Sequence, residues 1–242
     1  MTDLTEAGLG GTGLARTDRG GVAWLEISRP ESRNALATIV LLSLREQLTL
    51  IGDDPDTKVV VFTGVGDVFC AGADLREFER DSAPRKSLAR VRLVAEVLAR
   101  MRGLEQPTIA AVNGAAIGAG WGLSLVCDVC FTVADATFCV PEIAKGFRLP
   151  AVLMHRLIQI VGPVRAAEIA LGGATFDATQ ALAWGWATRS FADRAALVEQ
   201  TWSFATELAS RPRRSLASAT GPLRFNSDPE PTPPSEYAWN EE

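Results

Sequence analysis

The chain has 242 residues, 47% of them hydrophobic and 22% charged, which supplies a core of domain size and rules out a disordered chain. Twenty-four Lys and Arg stand against 29 Asp and Glu, a net charge of −5. With no basic run interleaved with aromatics, nucleic acid is not an expected partner. Only Lys58, Lys86 and Lys145 are lysines, and the arginines, spread along the chain, read as solvated surface. Cys70, Cys127, Cys130 and Cys139 sit in apolar stretches, and the opening MTDLTEAGLG has neither a basic nor an apolar leader segment. Reduced thiols in a cytoplasmic protein are the expectation.

In chain order, 22–28 (VAWLEIS) reads as a strand ended by Arg29-Pro30. Asn34 is a candidate N-cap for a helix on which Leu36, Val40, Leu44, Leu48 and Ile51 recur at helical spacing. The run 58–63 (KVVVFT) suits a strand covered on both faces, and the loop 64–75 (GVGDVFCAGADL) follows it. An amphipathic helix is predicted over 84–104, with Leu88, Val91, Val94, Leu98 and Met101 on one stripe. Then come a strand over 108–112, a buried helix over 118–127 and a strand over 129–133. Helical patterns dominate from Pro150 through Pro212 and stop near Phe225. The uncharged run 108–127 is long enough to span a membrane. Its Asn113, Gly114, Gly118, Gly120 and Gly122 suit close backbone packing instead, so no membrane span is expected.

Three motifs carry little. Gly8 to Gly13 spells G-x-G-x-x-G but neither follows a strand nor opens a helix, so it reads as a flexible lead-in. Cys127 and Cys130 form one CxxC without a second pair or a histidine pair, and no metal is expected. His155 is the one histidine, in an apolar helix, and no G-x-S-x-G nucleophile elbow exists. Two glycine-rich segments carry more. Residues 69–75 (FCAGADL) and 113–123 (NGAAIGAGWGL) each leave a buried strand through residues too small to shield their own N–H groups, the second into a helix N-terminus. Converging, they offer two donors to an oxyanion; the alternative is tight packing of helix on sheet.

At these loops the sequence resembles the enoyl-CoA hydratase/isomerase family, or crotonase superfamily. The carrying segments are SRPESRNAL (28–36), VVVFTGVGDVFCAGADL (59–75), QPTIAAVNGAAIGAG (106–120), LVCD (125–128) and FCVPEIAKG (138–146). The resemblance implies an α/β fold, a crotonase-like spiral of β-β-α turns over 1–192 with a C-terminal helical region over 193–225. The Pro-rich 226–242 reads as an extended tail. It further implies a homotrimer or dimer of trimers, and acyl-CoA thioester substrates whose coenzyme A is the only cofactor-like group.

By position, the resemblance makes Ala73 and Ala119 the thioester oxygen's backbone donors. It lays coenzyme A along Arg33, Ala35 and Leu36 and the loop of Ala71, Gly72, Asp74 and Leu75. Gly118, Trp121, Gly122 and Arg148 fall among the substrate-binding residues. Family hydratases hold a water between two glutamates; here Glu142 occupies one position and Gly122 the other. A single base that removes a proton at one carbon and returns it at another suffices for double-bond isomerisation. Glu142, beside Pro141 and near Phe138, Ile143 and Phe147, is expected to have a raised pKa. Arg148 pairs either with a substrate carboxylate or with Glu142, and Trp121 or the substrate fills the space left at Gly122. Trp239 and Tyr237 of the tail stand where longer relatives carry roofing helices. Three alternatives stay open: a hydratase with a non-standard site, an inert CoA-binding or scaffolding relative, and a serine hydrolase with His155 near Ser124.

Overall fold

The computed structural model describes residues 7–8, 11–80 and 84–225. Strands β1 (Ala7–Gly8), β2 (Leu14–Arg19) and β3 (Val22–Ile27) form an antiparallel meander. Helix α1 (Thr38–Asp53) then returns the chain to β4 (Val59–Gly64), parallel to β3. Three turns of one pattern follow. β4 leads to β5 (Val68–Cys70) and helices α2 (Leu75–Arg80) and α3 (Pro84–Gly103); β6 (Thr108–Val112) leads to β7 (Ala115–Ile117) and α4 (Ala119–Val126). β8 (Val129–Val133) leads to β9 (Thr137–Cys139), α5 (Ala151–Val161) and α6 (Pro163–Gly172). The described residues close with β10 (Thr175–Asp177), α7 (Ala178–Ala183), β11 (Arg189–Phe191), α8 (Arg194–Ala209) and α9 (Arg213–Phe225).

The first strand of each turn enters a seven-stranded sheet, β1-β2-β3-β4-β6-β8-β11, and the second a four-stranded sheet, β10-β9-β7-β5. This is the β-β-α spiral. The large-sheet strands β4 and β6 are buried at every position, which is why they read as unbroken apolar runs. Helix α8 packs against β4, β6 and β8, with Trp202 stacked on Trp24 of β3 at 4.9 Å between ring centroids. Two buried asparagines fix the β4–β5 connection. Asn113 donates to Gly64 O and Gly66 O at 2.8 and 2.7 Å, and Asn34 donates to Val65 O and Val68 O at 2.9 and 2.6 Å.

Several expectations are corrected here. Asn34 is not a helix cap: it sits at φ 56° and spends its amide on the β4–β5 loop. Helix α1 begins at Thr38, whose N–H and hydroxyl both donate to Glu77 Oε2, at 2.9 and 2.6 Å. The helical stretch expected after Pro150 is interrupted by β10 and β11, three residues each. As read from the sequence, the glycine run ending at Gly13 opens no helix; it leads into β2, and part of it lies outside the described residues. The tail 226–242, with Tyr237 and Trp239, also lies outside them.

Arg224 departs most from the reading of arginine as surface: it is 1% exposed. It donates to Asp128 Oδ1 at 2.8 Å, to Gln106 O at 2.9 Å and to Leu104 O, tying α9 to the β6 and β8 ends. Burial alone would raise the Asp128 pKa, but the Arg224 and Thr108 donors outweigh it and hold the carboxyl below its ordinary value. Among the described residues, no helix is long and apolar enough to cross a membrane, and no group of three or more metal-ligating side chains occurs. All four cysteines are free thiols, and burial pushes Cys130 up to about 12.

Candidate active site

The two glycine-rich loops meet. Gly72 lies so close to the second loop that a β-carbon on it would stand 2.6 Å from Ile117 O and 3.5 Å from Ala119 N. Around Ala73 the main-chain donors are already used. Ala71 N bonds Arg33 O at 3.0 Å, Gly72 N bonds Cys70 Sγ at 3.4 Å and Asp74 N bonds Leu36 O at 3.3 Å. No described group accepts from Ala73 N. On the second loop Gly118 N bonds Cys139 O at 2.9 Å, and Ala119 is the first residue of α4, where helix geometry leaves the N–H without an internal partner. Both alanines line one cavity of about 130 Å³, walled also by Leu41, Val91, Val94 and Phe147. Two amides and a helix N-terminus thus front an apolar space, an arrangement that stabilises a developing negative oxygen.

Glu142 lies on the same wall, at the start of the turn Ile143–Lys145. Its Oε2 is buried and has no hydrogen-bond partner among the described residues. Burial raises its pKa above the ordinary glutamate value, partly offset by a backbone N–H and by Lys145. A carboxylate with one oxygen taken out of water and left without a donor is a stronger base than an exposed one. Among the described residues that line the cavity it is the only acid.

Of the residues singled out from the sequence, Leu36, Ala71, Gly72, Ala73, Leu75, Gly118, Ala119, Glu142 and Arg148 line this cavity. Five do not. Arg33 is exposed at φ 55°, and its carbonyl holds Ala71. Ala35 is buried, its carbonyl accepting from Arg29 Nη1 at 2.7 Å. Asp74 is buried in an ion pair with Arg29 at 3.0 Å and also accepts from Arg76 N, and so braces the Ala73 loop. Trp121 is fully buried, edge-on to Trp186 at 5.8 Å. Gly122 is walled off by Leu153, whose Cδ1 would stand 3.0 Å from a β-carbon there. Neither Trp121 nor an open substrate space fills the Gly122 position; Leu153 does.

Lys145, on the same turn, lowers the Glu142 pKa against the effect of burial. Ser124 gives its hydroxyl to Trp121 O at 2.8 Å and no hydrogen bond joins it to His155, which removes the geometry a serine nucleophile needs. Sequence reasoning missed Leu153, Lys145 and Thr38 as cavity residues. Val91 and Val94 were legible only as a helix stripe, since a stripe facing a core and one facing a cavity spell alike.

The β-β-α spiral with two loop amides and one carboxylate around an apolar space defines the class, and the comparisons name it. The chain belongs to the enoyl-CoA hydratase/isomerase family, whose model matches residues 17–235. A 2,3-dehydroadipyl-CoA hydratase of Escherichia coli K12 is 37% identical over 194 residues, 80% of this chain and 72% of its own length. A mevalonyl-coenzyme A hydratase of Aspergillus fumigatus is 36% identical over 165 residues, 68% of this chain. The match spans 61% of that relative's length. The crystal structure of an enoyl-CoA hydratase from Bacillus anthracis superposes with a TM-score of 0.83 at 28% identity, over 88% of this chain and 83% of that one.

Proposed function

We propose that this protein moves a carbon–carbon double bond along an enoyl-CoA thioester, with Glu142 as the single acid–base and the Ala73 and Ala119 amides holding the thioester oxygen. Glu142 takes a proton from C2 of a 3-enoyl group; the electron pair passes into the thioester carbonyl, giving a dienolate whose oxygen accepts the two N–H bonds. The carboxyl then returns a proton at C4, which leaves the 2-enoyl product and regenerates the carboxylate. No water, metal or further carboxylate enters the balance.

The observation that carries this reading is the solitary carboxylate: Glu142 is half-buried, its Oε2 is buried and unpartnered, and among the described residues no other acid stands on the cavity wall. Water addition is the second reading, favoured by the names of both curated relatives. Against it stands Leu153, an apolar side chain in the space that a side chain at position 122 would take. The test is turnover of 3-enoyl-CoA by Glu142→Gln. A positioned proton carrier contributes about 10²-fold or more, so a loss of that size is expected, and a variant within about threefold of the parent removes Glu142 from the mechanism.

The resemblance further supports a homotrimer or dimer of trimers, and Val164 and Leu171 of α6, 84% and 68% exposed, offer apolar surface for it. Light scattering on the purified protein reads the assembly directly: a three- or sixfold mass is expected and a monomer rejects it.

A further inference from the structure

Leu153 touches two features at once. It belongs to α5, is 1% exposed and lines the cavity that Ala73, Ala119 and Glu142 share. Its Cδ1 and Cδ2 also stand 3.0 and 3.3 Å from where a β-carbon on Gly122 would begin. The side chain therefore forms the partition between the cavity and the Gly122 backbone of α4. Without it the cavity would run on to the bare backbone at Gly122, because glycine contributes nothing to close that side.

The space, open on one side, is small. A cavity near 150 Å³ holds a benzene molecule, six non-hydrogen atoms, and this one measures about 130 Å³. The thioester carbonyl must occupy part of it, since both amides front it.

We propose that Leu153 sets the acyl-chain length this site accepts, closing the pocket so that it takes acyl groups of about four to five carbons. The proposal rests on the reading of the cavity as the acyl site. Truncating Leu153 removes three carbons from the partition and opens the space over Gly122, room for two to three methylenes. Burial of each methylene changes affinity about fourfold.

The experiment measures dissociation constants of saturated butyryl-, hexanoyl- and octanoyl-CoA by calorimetry. These thioesters report binding whether or not the protein turns anything over. The parent should bind butyryl-CoA or hexanoyl-CoA more tightly than octanoyl-CoA. In Leu153→Ala the octanoyl-to-butyryl affinity ratio should rise about tenfold or more. Leu153 is a core residue, so Leu153→Val, which removes a single carbon, is measured alongside. Its ratio should rise about threefold, and it decides the matter if the alanine variant does not fold. Ratios unchanged in the folded variants overturn the proposal, as does a parent that binds octanoyl-CoA best.

The functional reading fails separately. If the ratio shifts while the parent exchanges no substrate proton, Leu153 stands and the isomerase does not; if exchange occurs while the ratio stays fixed, the reverse holds. No measurable binding of any acyl-CoA removes both.

Discussion

A β-carbon on Gly118 would lie 2.9 Å from Oε1 of Glu142, so the carboxylate is held against backbone that only glycine can supply. Gly118 also sits at φ 56° and ψ −123°, a conformation that other residues rarely adopt. One residue thus ends β7, starts α4 and seats the carboxylate, which couples the Ala119 donor to the base.

Gly118→Ala is accordingly expected to lower kcat for 3-enoyl-CoA about tenfold or more, since misplacing a reacting group by 1 Å can cost about 10²-fold. Steady-state kinetics on protein whose fold is verified by circular dichroism checks it. A kcat within about threefold of the parent contradicts the coupling.

The pH dependence follows from the raised Glu142 pKa. The base must be ionised, so the rate falls as pH drops through an inflection lying above the ordinary glutamate value of about 4.3. Stability runs the other way. Between the ordinary and the raised value the folded chain holds a proton that the unfolded chain has released, so stability present at low pH is lost as pH rises through the folded pKa. Glu142→Gln removes that loss. Its Tm should exceed the parent's at pH 7.5 by on the order of 2–4 °C per kcal/mol recovered. The difference should shrink toward zero below about pH 4, where both chains carry a neutral side chain. Calorimetry across that range reads it, and a Tm difference that grows on acidification contradicts it.

Asp74 separates two roles cleanly. Bracing the Ala73 loop through Arg29, it is a positioning residue, and Asp74→Asn should lower kcat about tenfold with KM changed less than about threefold. A contact to coenzyme A would instead raise KM and leave kcat in place.

Much of this was legible in the sequence. The strands at Thr108–Val112 and Val129–Val133 lie where their apolar runs predict, because strands covered on both faces read as runs of mostly apolar residues. The three-residue strands β5, β7, β9, β10 and β11 were not legible, since a period of two needs more residues than that to register. Ala73, Ala119 and Glu142 were reachable through glycine spacing and resemblance. Leu153 was not: its approach to Gly122 crosses 31 positions of chain, and nothing in AVLMHRLIQIV marks one leucine from another. Arg224 escaped for the opposite reason. Its neighbours SLASATGPLRF carry a surface signature, and only the carbonyls of Leu104 and Gln106 and the Asp128 carboxylate, all remote in sequence, make burial affordable.

Removing Arg224 tests that network. Arg224→Met keeps the bulk but leaves Asp128 without its main donor, and breaking a buried pair in this way costs about 3–5 kcal/mol. Asp128→Asn leaves the guanidinium its carbonyl acceptors and should cost less, about 1–3 kcal/mol. Urea titrations of both variants give the order, and an equal or reversed order contradicts it.

The most direct test of a single carboxylate moving one proton is a reaction in deuterated water, followed by mass spectrometry of the thioester. With 3-enoyl-CoA the parent should give 2-enoyl-CoA carrying deuterium at C2 or C4 and no hydrated product, while Glu142→Gln should give neither exchange nor migration. Formation of a 3-hydroxyacyl thioester by the parent, or unchanged exchange in the glutamine variant, would contradict it.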